Sequence, residues 1–266
     1  MPIEQCKGFY HTPPLWINET FGIRQFVFPE IELESLPLRE VPDNLRLGHQ
    51  MEHVFHQLIS HSKQYRVVLR NLLVKEDKRT VGEIDFILKN RDTEQLVHVE
   101  LTYKFYIVDL SVSAPVHRLM GPNRRDRFFA KMEKIKKRQF NMLHSDAGKR
   151  ALESVGVDTA GIRNECCFKA QLFMPHAERK FDLHPFNNRC KAGYWIHYDG
   201  FDSEEFRQHR YYIPPKPEWV IAAHDKVSYI PHGNILPDVI QRIHTKNSPM
   251  LWMKKEDGTL EKLFVV

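Results

Sequence analysis

Two short segments carry charge where a buried strand should be apolar: Gly82-Glu83-Ile84-Asp85-Phe86-Ile87 and Val97-His98-Val99-Glu100-Leu101-Thr102-Tyr103-Lys104-Phe105. Each reads as a strand, and side chains alternate across a strand with a period of two. In the second segment His98, Glu100, Thr102, Lys104 and Tyr106 therefore share one face, and Val97, Val99, Leu101, Tyr103 and Phe105 take the other. In the first, Glu83, Asp85 and Ile87 line one face and Ile84, Phe86 and Leu88 the other. Pairing the two strands sets Asp85 beside Glu100 and Lys104. Two carboxylates and one ammonium on a sheet are costly to desolvate unless they bind something. A divalent cation between the carboxylates accounts for the arrangement.

The chain has 266 residues, 42% hydrophobic and 27% charged, the balance of an ordinary globular protein. No apolar run is long enough for a transmembrane helix, so no membrane partner is expected. Met1 to Trp16 lacks a basic stretch followed by an apolar one, which argues against a signal peptide. Cys6, Cys166, Cys167 and Cys190 do not form a disulfide framework and include no CxxC pair for zinc. A cytoplasmic location is the default expectation. The net charge of +5 is weak evidence by itself. Its distribution says more. From Gly121 to Phe140 there are eight Lys or Arg against Asp126 and Glu133. Nucleic acid is the most abundant polyanion such a stripe meets, and a solvated helix face is the alternative.

Read along the chain, residues 1–44 are Pro-rich and expected to be irregular. Leu45 to Ser60 is expected to be a helix, with Leu47, Met51, Val54, Phe55, Leu58 and Ile59 at helical spacing. Strands are expected over Arg66–Val74, Val81–Leu88 and Leu96–Val108. Asn123 is placed as an N-cap with Asp126 as its capping-box acid, opening a long helix whose inner face holds Phe128, Met132, Ile135, Gln139 and Leu143. Cys167 to Met174 is a further strand. Residues 176–266 are aromatic-rich, with strand-like pieces at Gly193–Tyr198, Trp219–Ala223, Met250–Met253 and Lys262–Val266. The order over residues 45–175 is helix, three strands, helix, strand.

That order and those charges resemble the PD-(D/E)XK nuclease superfamily, and within it a bacterial domain-of-unknown-function family. The matching text is Gly82-Glu83-Ile84-Asp85, then Glu100-Leu101-Thr102-Tyr103-Lys104-Phe105-Tyr106, then Gly121-Pro122-Asn123 followed by Asp126-Arg127, Lys131 and Gln139. The resemblance implies an α/β fold. Its restriction-endonuclease-like αβββαβ core would occupy residues 45–175 around a mixed sheet. A β-rich extension at 176–266 would pack on that core. It also implies Mg²⁺ or Mn²⁺ held by Asp85 and Glu100 with Glu52 of the first helix. Glu83, Thr102 and Gln139 would stand around them. The superfamily's usual third-strand pattern is Glu-x-Lys, but Thr102 stands at the lysine position here. Lys104 lies on the same face, within reach across one strand repeat of roughly 7 Å, and is taken as the displaced catalytic lysine. Arg124, Arg125, Arg127 and Lys131 would contact phosphates.

Two function classes follow. One is a Mg²⁺-dependent phosphodiesterase or nuclease acting on DNA or RNA through an activated water. The other is a non-catalytic nucleic-acid-binding or assembly module that keeps the fold, with Lys104 as a structural partner of Glu100. His49, Glu52, His53 and His56 share one helical face, but a single helix rarely supplies a full zinc shell. Trp195, Trp219 and Trp252 have the chemistry to stack on bases, though core packing is the commoner role.

Overall fold

Helix α1 (Pro2–His11) occupies part of the stretch expected to be irregular. Its Cys6 and Phe9 are fully buried. The computed structural model describes residues 2–37 and 39–266. The chain falls into two compact units. The first comprises Met1–Phe9, Pro14–Tyr103 and Ala130–Lys169; the second comprises Tyr10–Pro13, Lys104–Phe129 and Ala170–Val266.

In the first unit, helix α2 (Leu47–Ser60) forms where the periodic apolar residues predict it and buries Met51, Val54, Phe55, Leu58 and Ile59. Strands β1 (Tyr65–Glu76), β2 (Arg79–Asn90) and β3 (Leu96–Val108) follow, the last with the bounds that its composition predicts. β1 pairs antiparallel with β2, and β2 with β3. α2 packs on this sheet through Phe55 and Phe86, whose rings lie 4.6 Å apart. Phe9 and Phe28 stack around Phe55, which explains why α1 folds without a strong apolar stripe of its own.

Helix α3 (Phe128–Lys134) runs into a π-helical turn at Ile135–Gln139 and one further turn at Phe140–Met142. It is followed by α4 (Asp146–Glu153), capped by Ser145, whose hydroxyl accepts the Gly148 N–H. Strand β4 (Arg163–Pro175) lies next to β3. Met142, Leu143, Ala147 and Leu152 form an apolar cluster with Val74, Ile84 and Ile87 of the sheet. The main elements therefore run helix, three strands, two helices (α3 and α4), strand, in a mixed α/β fold.

The second unit combines parallel and antiparallel pairing. β5 (Lys191–Ile196) runs parallel to the end of β4 and to β8 (Leu260–Val265). β7 (Met250–Lys254) pairs antiparallel with β8 and with β6 (Arg210–Tyr212). Gly193 permits the close approach of β5 and β8, because a Cβ there would lie 2.1 Å from the Lys262 carbonyl oxygen. Helix α5 (His232–His244) seats Ile235 and Val239 among Tyr211, Phe201, Leu251 and Leu263.

Three local expectations are corrected here. Asn123 does not cap a helix. Its side chain accepts the Ser248 N–H at 2.8 Å, Arg124 takes a φ of +58°, and the helix begins only at Phe128. Asp126 accepts from Lys104 instead of closing a capping box. Trp219–Ala223 is not a strand, since Lys216–Val220 is a 3-10 turn. No helix among the described residues is long and apolar enough to cross a membrane.

Candidate functional site

The ladder between β2 and β3 pairs Leu88 with Val97, Ile87 with His98 and Phe86 with Val99, and goes no further up β2. Continuing that register sets Asp85 opposite Glu100. Where the ladder stops, the Asp85 carboxylate takes over from a backbone carbonyl: its Oδ2 accepts the Leu101 N–H at 2.9 Å. The two acids thus sit on adjacent strands at the point where the strands part, as their alternation predicts.

Glu100 is buried and fully engaged. Lys131 Nζ donates to its Oε1 at 3.0 Å, and Gln139 Nε2 donates to both oxygens, at 3.3 and 3.1 Å. On a regular helix, residues eight apart stand roughly 80° from one another around the axis. The wider i→i+5 turns at Ile135–Gln139 bring Gln139 back over the same acid as Lys131.

The electrostatics follow from enclosure. Burial raises the Asp85 carboxyl well above the ordinary aspartate value; the Glu100 charge raises it further and Glu52 adds to it, while the Leu101 N–H and Lys131 oppose. Burial alone would depress Lys131, but the charge and hydrogen bond of Glu100, with Asp85 beyond, lift it above the ordinary lysine value. Burial also raises the fully buried Cys166 thiol well above the usual range, and Glu100 contributes. It is an inert wall of the site rather than a nucleophile.

Glu52 enters from α2. Its Oε2 accepts from Asn71 Nδ2 at 3.0 Å and contacts His49 Nδ1 at 3.2 Å. The same Asn71 amide donates to Glu83 Oε1 at 2.7 Å. Asn71 therefore holds two acids of the predicted set in one orientation. A groove of about 310 Å³ lined by His49, Glu52, His53, Arg70 and Asn71 opens here. Among the described residues no three His, Cys, Asp or Glu side chains converge closely enough to hold an ion by themselves.

The sequence matches the model of a domain of unknown function, DUF1853, over residues 30–266. The chain belongs to the DUF1853 family. No curated protein and no solved structure matches it.

In this DUF1853 chain two lysines stand in roles other than those expected of them. Lys104 does not pair with Glu100; its ammonium binds Asp126. Lys131, expected on a phosphate, is the residue that pairs with Glu100. Arg124, Arg125 and Arg127 are exposed and make no ion pair among the described residues. Thr102 is buried, and its hydroxyl has no partner among the described residues. Asn71 was missed by sequence reasoning. It takes a φ of +52° between the paired positions Arg70↔Phe86 and Leu72↔Ile84, opposite Asp85. An asparagine inside an apolar strand run was the available signal, since asparagine tolerates positive φ better than most residues.

Proposed function

We propose that this protein is a Mg²⁺- or Mn²⁺-dependent phosphodiesterase acting on nucleic acid, with a restriction-endonuclease-like arrangement of α2, β1–β3, α3 and β4. The observation that carries the reading is the pair of enclosed acids at the parting of β2 and β3, with a lysine anchored on one of them. Mg²⁺ is commonly held by one or two carboxylates and keeps several waters, so Asp85 and Glu100 suffice without a third ligand from the chain. The residues fit such an ion. Burial first, and then the neighbouring Glu100 charge, disfavour an ionised Asp85, and a divalent cation would favour that ionised form. A cation bound there supplies neutralisation of charge developing on a phosphodiester and a lower pKa for water.

The chain's own residues do the rest. Gln139 fixes both oxygens of Glu100, so its carboxylate cannot rotate away. Lys131, lying against Glu100, offers a preorganised positive charge to a phosphate oxygen and replaces the lysine missing at Thr102. Asn71 orients Glu52 and Glu83 toward the same end of the sheet. A second reading, a nucleic-acid-binding module without catalysis, draws on Lys104, which Asp126 takes out of the chemistry.

The first test is thermal unfolding in the presence and absence of metal. At about ten times its Kd, Mn²⁺ is expected to stabilise the wild type by about 1.4 kcal/mol, or about 3–6 °C in Tm. Asp85→Asn should show no such shift. Cleavage of a DNA and RNA panel should then require the metal and be lost in Asp85→Asn and Glu100→Gln. Metal binding with no cleavage of any substrate would leave the module reading standing. A second measurement concerns the arginines. Arg124→Glu with Arg125→Glu is expected to weaken nucleic-acid binding. The log–log salt dependence should flatten by about one unit per lost phosphate contact. An unchanged slope would make these arginines a solvated face.

A further inference from the structure

We propose that the second unit carries a subsite for one nucleotide of a single strand, built around Trp219. This rests on the nucleic-acid reading above but not on catalysis. The site is a cavity of about 180 Å³ whose walls include Lys216, Trp219, Arg242, Asn247 and Ser248, with prolines completing the rim. It is smaller than the roughly 300 Å³ of a typical small-molecule pocket, so it takes part of a nucleotide rather than a whole free cofactor. That size suits one base entering while its sugar and phosphate stay at the mouth.

The lining has the chemistry for this ligand. Lys216 and Arg242 are exposed cations with no ion pair among the described residues, and no carboxylate lines the cavity. Trp219 is partly exposed. Its N–H is already spent on the Pro214 carbonyl at 3.1 Å, so the indole offers ring surface rather than a donor. Such a surface stacks on bases without choosing among them. Lys216 Nζ stands 6.0 Å over the same ring, near where the phosphate of a stacked nucleotide would lie. Asn247 adds an amide able to reach a base edge.

The wall is also held rigidly. The Trp219 carbonyl accepts from Gln171 Nε2 at 3.2 Å and from the buried Lys262 Nζ at 2.8 Å. Phe105 and Phe264 pack edge-to-face on its ring. Ser248, on the other wall, donates through its backbone N–H to Asn123 Oδ1 and through its hydroxyl to the Pro122 carbonyl. That ties the cavity to the loop bearing Arg124 and Arg125. The loop is closed on itself by Gly121 N–H to Asp126 O and Arg124 N–H to Gly121 O, both 2.7 Å. A strand whose base enters beside Trp219 therefore has a closed loop carrying two exposed arginines tied to the same cavity, available to its next phosphates.

The experiment uses the full chain, EDTA, and a fluorescently labelled oligothymidylate of about six nucleotides read by anisotropy. A matching oligonucleotide whose bases are replaced by abasic sites separates stacking from charge. The wild type is expected to bind the thymidylate at least roughly tenfold more tightly than the abasic strand. Lys216→Glu with Arg242→Glu should weaken thymidylate binding by a similar factor. Equal affinity for the two strands would overturn the subsite, leaving only a charged surface. So would charge reversal without effect. Binding and cleavage fail separately. A protein that prefers bases but cuts nothing supports the subsite and overturns the nuclease. One that cuts but binds both strands equally does the reverse.

Discussion

Replacing Lys131 by methionine is expected to cost about 3–5 kcal/mol of folding stability, measured by urea unfolding at pH 7. Glu100 is only 2% exposed, and without Lys131 its charge would be left against Asp85 with only the Gln139 amide for compensation. The loss reflects a stranded buried charge more than the worth of the pair. The double variant Glu100→Gln, Lys131→Met removes both charges and should recover most of the stability, giving a coupling energy of several kcal/mol in the cycle. Additive single and double variants would mean that Lys131 does not compensate Glu100. The sign with pH is fixed by direction. The folded-state value of Lys131 is raised, so its contribution is fully present below the ordinary lysine value and is lost only as pH rises through the raised one. A measurement at neutral pH therefore captures all of it. Under the proposed function the same variant should also be defective in cleavage even where it remains folded, because it removes the positive charge held at Glu100.

What sequence could and could not supply differs from residue to residue. The period-two alternation of β3 set its bounds and its acidic face, and the helical spacing of Met51, Val54, Phe55 and Leu58 set α2. Both are local patterns with strong burial behind them. The meeting of Asp85 and Glu100 needed only the assumption that neighbouring strands pair. The lysines were not legible in the same way. Alternation says that Lys104 shares a face with Glu100, but not that Asp126, 22 residues on, reaches it first. Helical periodicity gives no warning of a π turn, which is what brings Gln139 onto the acid already held by Lys131. α1 was missed because its burial comes from tertiary contacts of Cys6 and Phe9 rather than from a repeating stripe. α5 was hidden by Pro237 in its interior, a residue that ordinarily breaks or kinks a helix. The Asn123 cap failed because the side chain is used by Ser248, 125 residues away.

The second large effect is expected at Lys262. Its ammonium is enclosed in β8, donates to Gln171 Oε1 at 3.0 Å and to the Trp219 carbonyl at 2.8 Å, and meets no carboxylate in an ion pair among the described residues. Burial holds its pKa down to about 7, against 10.5 for a free lysine. Between those two values the unfolded chain binds a proton that the folded chain does not. Stability should therefore rise with pH across that window, by up to about 1.4 kcal/mol per pH unit, and lose this dependence below pH 7 where both states are charged. Summed over the window, the effect is about 3–5 kcal/mol. Lys262→Met keeps the length of the side chain and removes the titration. The difference between wild-type and variant stability, followed from pH 7 to pH 10 by chemical denaturation, should then narrow steadily in favour of the wild type. Taking the difference cancels the other lysines and tyrosines that titrate in the same range. A constant difference across the window would mean that Lys262 stays charged in the folded protein and that an anion reaches it. Such a result would also alter the setting of Trp219, whose carbonyl Lys262 holds.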